Sequence, residues 1–184
     1  MKAGRKTTFI VAALATLLLL NAPVWRAEQT LAHGRRVLLA LQPVAADSLQ
    51  RGSVMLLDYP LQAQISAAMG IPEAERGYGH SNALQAVEGD VLHAMVVLDQ
   101  HDVAHLSRVG RVGVLPRAGE IPIRVKWWSD TAALPSRSYP LPDEDRGRFT
   151  SARYADYRVA DDGTALLAGL LDAARRPIDP PDRQ

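Results

Sequence analysis

The chain contains no cysteine. That absence excludes a disulfide-stapled scaffold, a thiol nucleophile, a cysteine zinc site and an iron–sulfur cluster. It fixes no compartment, because a secreted domain with an adequate core folds without disulfides. Lysine is almost absent, at Lys2, Lys6 and Lys126 only. No acid stands before Glu28, so all 20 acidic residues follow the N-terminal segment, together with 18 of the 21 basic ones. That part therefore carries a net charge of −2 and lacks the electrostatic footprint that nucleic acid requires. There is no internal repeat. At 184 residues, 47% hydrophobic and 22% charged, the chain has the material for one modest domain with accessories.

The first thing present is an address. Residues 7–25, TTFIVAALATLLLLNAPVW, form an uncharged run, preceded by a tail (residues 1–6) that holds Lys2, Arg5 and Lys6. As a helix the run spans roughly 28 Å, about the hydrocarbon thickness of a bilayer. The cationic flank stays inside, which directs everything after Trp25 to the outside, and Trp25 suits the outer interface. A cleaved signal peptide is the rival. Cutting after Ala22 leaves Pro23 next and Leu20 at the outer subsite, and cutting after Ala27 puts Trp25 there. Both sites are poor, so the sequence predicts a retained anchor in the lipid bilayer. Residues 26–34 lack helix breakers until Gly34, which predicts a helical stalk that lifts the domain off the membrane.

Beyond Gly34 the period changes to two, and residues 35–176 are expected to form an extracytoplasmic β domain. VLLALQ (37–42) and GSVMLLDY (52–59) predict strands ended by Pro43 and Pro60, with a turn near Asp47 and Ser48. LQAQISAAMG (61–70) fits a short amphipathic helix with Leu61, Ile65 and Ala68 on one face, and 72–82 reads as a loop. Residues 90–99 and 103–109 predict a hairpin around DQHD. RVGVL (111–115) is expected as a further short strand. GEIPIRVKWW alternates most cleanly: Ile121, Ile123, Val125 and Trp127 point one way, and Pro122, Arg124, Lys126 and Trp128 the other. Pro122 argues for an edge or a strand start. ARYADYRV and TALLAGLLD predict a second hairpin around Ala160–Gly163, and residues 177–184 a disordered tail. The expectation is a mainly β fold with one N-terminal transmembrane helix, an antiparallel compact barrel or sandwich, and one short helix.

GSVMLLDY resembles the motif that names the GDYXXLXY family of bacterial membrane-anchored proteins. Its glycine falls on Gly52, its leucine on Leu57 and its last tyrosine on Tyr59. Ser53 stands at the aspartate position and Val54 at the first tyrosine, so the motif's acid and first aromatic are absent here. The run-up LLALQPVAADSLQRG, ending at Arg51, and the closing section 146–178 with Ala152-Arg153-Tyr154 are similar to the family as well. The resemblance implies a single-pass protein of the bacterial cytoplasmic membrane, its domain extracytoplasmic, working beside a polytopic membrane protein. It implies no established activity and no cofactor. From the residues alone, Gly52 permits a tight entry to a strand on which Ser53, Met55, Leu57 and Tyr59 share a face, which core packing explains.

Other constellations are weaker. Asp99, His101, Asp102 and His105 offer four metal ligands, but a hairpin there separates His101 from His105, so no metal is expected. Ser53 with Lys126 resembles the Ser/Lys pair of membrane-tethered signal peptidases. That hydrolase reading needs a desolvated lysine, whereas Lys126 lies on the polar face of its strand, so no catalytic residue is expected. Trp128 is a contact candidate because its neighbour Trp127 must face the other way. The carboxylates Asp143-Glu144-Asp145 read as a solvated turn, and Tyr78, His80 and Asn82 as loop residues without fixed geometry. The candidate binding residues are thus Arg51, Gly52, Leu57, Tyr59, Trp128, Arg153 and Tyr154.

Overall fold

The computed structural model describes residues 2–43, 54–70, 84–141 and 146–178, with side chains from Thr16 onward except at 18 and 19. Helix α1 (Lys2–His33) is followed by β1 (Arg35–Ala40), β2 (Val54–Leu56) and helix α2 (Pro60–Ala68). Then come β3 (Val91–Leu98), β4 (Ala104–Arg111), β5 (Ile121–Trp128), β6 (Thr131–Ala133) and β7 (Ser138–Pro140). A 3-10 turn (Arg146–Ser151) leads to β8 (Tyr154–Val159) and β9 (Ala165–Leu171). The fold is mainly β, and all strand pairs are antiparallel, in sheets β4-β3-β5-β6, β1-β8-β9 and β2-β7.

The larger sheets join at both sides into a half-barrel. A parallel bridge of Leu38 to Val103, with the Leu38 amide on the Asp102 carbonyl, ties β1 to the start of β4. Across the molecule, the Arg124 amide donates to the Gly163 carbonyl, which fastens the tip of the β8–β9 hairpin to β5. The inward rows close on one core that holds Leu92, Ala94 and Val96 of β3, Ile123, Val125 and Trp127 of β5, and Ala155, Tyr157 and Val159 of β8.

Local chemistry explains the elements. Tyr59 is the extended residue before α2 (φ −113, ψ 117), and Pro60 takes the first helical position, where its missing N–H costs nothing. Helix α2 buries Leu61 and Ile65, each contributing roughly 1.5–3 kcal/mol. Met69, rather than the expected Ala68, completes that face; Ala68 is exposed. Strand β5 is central, between β3 and β6, but β6 pairs only from Lys126 to Trp128, so Pro122 lies at the strand's start with no β6 partner. The strand expected at 111–115 does not form. β4 ends at Arg111, Gly113 turns the chain at φ +95, and Val114 and Leu115 are exposed. Pro177 and Ile178, expected in the tail, belong to the fold. Pro177 bridges Leu171, the Ile178 amide donates to the Leu170 carbonyl, and Ile178 is buried.

Two expectations concern α1. Among the described residues no helix is long and apolar enough to cross a membrane, so the expected span has no support there. Asn21, Pro23, Arg26 and Glu28 interrupt the helix's described side chains. Residues 26–33 continue α1 as helix, and α1 packs along β8 and β9. It stops at Gly34, whose amide returns to the Thr30 carbonyl at 2.8 Å. A Cβ at Gly34 would collide with that same carbonyl and crowd the Val159 amide, so only glycine lets helix and strand approach this closely. The turn at Asp47, the loops 72–82 and 143–145, and the tail from 179 lie outside the described residues.

Candidate functional site

The family-like segment splits in two. Arg51, Gly52 and Ser53 lie outside the described residues. From Val54 on, alternation sends Met55, Leu57 and Tyr59 inward, and leaves Val54 and Leu56 exposed on the short β2–β7 ribbon. Tyr59 is 1% exposed, and its hydroxyl lies 2.8 Å from that of Tyr157, which is fully buried. The Tyr59 hydroxyl donates to the Ser136 carbonyl at 3.0 Å; Tyr157 stands 3.4 Å from the same oxygen. Burial raises the pKa of both phenols, most for Tyr59, where the Tyr157 hydroxyl adds to the effect. They are neutral hydrogen-bonding groups that tie the segment before α2 to the closing hairpin.

The closing section is structural in the same way. The Arg153 guanidinium donates to the Thr150 and Ala152 carbonyls at 3.0 and 2.7 Å. Its own backbone takes a bond from the Leu41 amide and gives one to the Leu171 carbonyl. Tyr154 packs, half-buried, on a small cluster of Leu38, Val103 and Leu171. Signals for Tyr157 were present in the chain, since 155, 157 and 159 alternate inward. Its partner is 98 residues away, and no local pattern names it.

The scan against family models matches the GDYXXLXY protein family over residues 16–170. The chain belongs to the GDYXXLXY family. No curated protein and no solved structure matches it significantly. Membership therefore names no activity. In this member the motif's Leu57 and Tyr59 are core residues.

The remaining polar groups divide between structure and surface. Asp99 organises the β3–β4 turn, accepting from the His101 and Val103 amides at 2.7 and 3.0 Å. Those amides hold its carboxyl below the usual range. His105 stands 3.5 Å from it, and among the described residues no group of three His, Asp or Glu is placed to hold a metal. Glu120 is a buried carboxylate that the sequence reading missed. It takes a fork from Arg108, with Nη2 at 2.8 Å, and further bonds from Ser107 and the Arg117 amide. The Arg108 bonds, seconded by the Arg117 amide, lower its pKa to about 2. His93, also missed, is 7% exposed, and neither ring nitrogen makes a well-aligned hydrogen bond, although the Asp162 backbone faces the ring. Burial, then the facing Arg124, lowers its pKa.

The surface candidate is the outward row of β5. Trp128 is 49% exposed, with the Lys126 ammonium 5.5 Å from its ring centroid. Ser53, the other half of the hydrolase pairing, is outside the described residues. Between α1 and the hairpin tip lies an open cleft of about 650 Å³, lined by Trp25, Arg26, Thr30, Arg124, Asp162 and Thr164 among others. It is a concave, mainly apolar feature that also holds two arginines and one aspartate, of a kind suited to binding.

Proposed function

We propose that this protein is a non-enzymatic binding or assembly module, anchored in the bacterial cytoplasmic membrane by residues 7–25, with its domain outside and a polytopic membrane protein as partner. One observation carries the reading. The described part of α1 leaves Leu17, Leu20, Val24 and Trp25 exposed, at 62, 72, 56 and 60%. Apolar side chains on a helix that continues an uncharged run lower their free energy by leaving water, and a bilayer is the partner that matches their length and order. The flank of Lys2, Arg5 and Lys6 orients such a helix with its start inside. The buried chemistry fits a scaffold role. The tyrosine pair, the Arg108–Glu120 fork and the Asp99 turn all spend their polar groups on neighbours within the fold.

The test is topological. The full chain expressed in a bacterium should stay with membranes through an alkaline carbonate wash. A reporter active only outside the cytoplasm should work when fused after Gln184. Release by carbonate, or a reporter active only in the cytoplasm, overturns the reading. Crosslinking in intact membranes should then recover an integral membrane protein; recovery of the chain alone counts against assembly.

A further inference from the structure

We propose that the outward face of β5, together with Trp25 and Arg26 of α1, docks the β domain flat onto anionic lipid headgroups. The inference rests on the anchored reading above and says which surface meets the membrane.

Depth comes first. The cleft at the base of α1 is lined by Pro23, Trp25 and Arg26 from the helix and by Arg124, Asp162 and Thr164 from the domain. Residues that share one cleft with Trp25 lie at the level of Trp25. If the uncharged run fills the bilayer and ends at Trp25, then Arg124 and the hairpin tip lie in the headgroup layer. This follows because α1 packs along β8 and β9 instead of projecting clear of them.

Chemistry comes second. Strand alternation places Arg124, Lys126 and Trp128 on one outward row, and all three are exposed. Val91, opposite Lys126 on β3, is 46% exposed and extends the row with an apolar side chain. Trp128 lies beside Lys126 in a cation–π contact. Indoles with one wet edge, together with long cationic side chains whose stems can lie on apolar surface, are the residues that suit a membrane interface. Each Lys or Arg near an anionic surface shifts binding by about fivefold.

Charge comes third. The cleft's acid, Asp162, is already engaged: its carboxylate accepts from the Thr164 amide and hydroxyl and stands 3.3 Å from Arg124 Nη2. With that pair offset, Arg26 and Lys126 give the face positive charge, though the part of the chain after the anchor is net negative. A phosphate-bearing lipid surface is complementary to this face.

The experiment uses the full chain, whose lack of cysteine makes Val91→Cys a unique labelling site. The chain carries an environment-sensitive fluorophore there. It is reconstituted into phosphatidylcholine vesicles with or without about one-third phosphatidylglycerol. We expect quenching by brominated lipid in the anionic vesicles only. Adding Arg124→Gln and Lys126→Gln should remove it, a shift of about 25-fold in the docked-to-free ratio, while Arg124→Lys with Lys126→Arg keeps it. A carbonate wash separates the failures. If the chain washes off, anchoring fails and docking with it. If the chain stays but the label is equally water-exposed in both vesicles, docking alone is overturned. A label that is wet in both vesicles yet buried in native membranes overturns lipid docking in favour of a protein on this face.

Discussion

The β8–β9 hairpin has a body and a tip of opposite character. In the body, Tyr157 faces the core and shares hydroxyls with Tyr59, each also near the Ser136 carbonyl, so both buried phenols there have partners, and only Asp156 Oδ1, on the strand's other face, lacks one. At the tip, Gly163 closes over His93, whose two nitrogens make no well-aligned hydrogen bond, while Arg124 and the Asp162 backbone stand beside it. A satisfied buried network stiffens what it joins, whereas an unsatisfied one stores a cost that protonation can raise. The body therefore holds the fold together, and the tip is the part of the half-barrel closure that conditions can loosen.

The largest effect is expected where helix and body meet. Gly34→Ala drives a methyl against the Thr30 carbonyl and the Val159 amide, neither of which can move without shifting an element. We expect a loss of about 3 kcal/mol in urea unfolding in detergent. An unchanged midpoint would mean that α1 is not seated on β8. Next comes the tyrosine pair. Tyr59→Phe leaves Tyr157 with only the 3.4 Å contact to Ser136 and should cost about 1–2 kcal/mol. Adding Tyr157→Phe should cost less than the two singles together, by roughly 1 kcal/mol, because the second change removes a hydroxyl already short of partners. Strict additivity would refute the network.

How much of this was legible beforehand follows from the range of each signal. Helix α2, strand β5 and both hairpins were readable, because their periods and turn residues act within a few positions. The strand expected at 111–115 failed because Gly113 reverses the chain before the valines can alternate. Ala68 was placed inward because nothing local favours it over Met69, which supplies more apolar surface to the same face. The motif's Tyr59 could be read as a core aromatic. The tie of Tyr59 to Tyr157, and the bridge from Leu38 to Val103, depend on how the sheets meet and leave no local trace. Glu120 and His93 were invisible for the same reason. Their meaning comes from Arg108 on the neighbouring strand and from a turn 70 positions on, at Gly163.

The smallest expected effect is the one that tests the tip. His93 lies on β3 opposite Arg124 of β5 and Gly110 of β4, beneath the turn that carries Asp162. Burial first, then Arg124, hold its pKa below the ordinary 6.5, against a weaker upward pull from Asp162. The unfolded chain therefore binds the proton more readily than the folded one. Stability is unaffected above about pH 7, falls as pH drops through 6.5, and levels once the folded imidazole is itself protonated. His93→Leu fills similar space with no nitrogens to satisfy, so it should flatten stability between pH 7 and 5 while leaving the pH 7 value nearly unchanged. Hydrogen exchange should show where the loss falls. In the wild-type chain at pH 5, the Arg124 amide, which donates to Gly163, should open sooner than the Ile178 amide, which donates to Leu170 in the body. If both amides respond alike, body and tip unfold as one unit and the distinction between them is wrong.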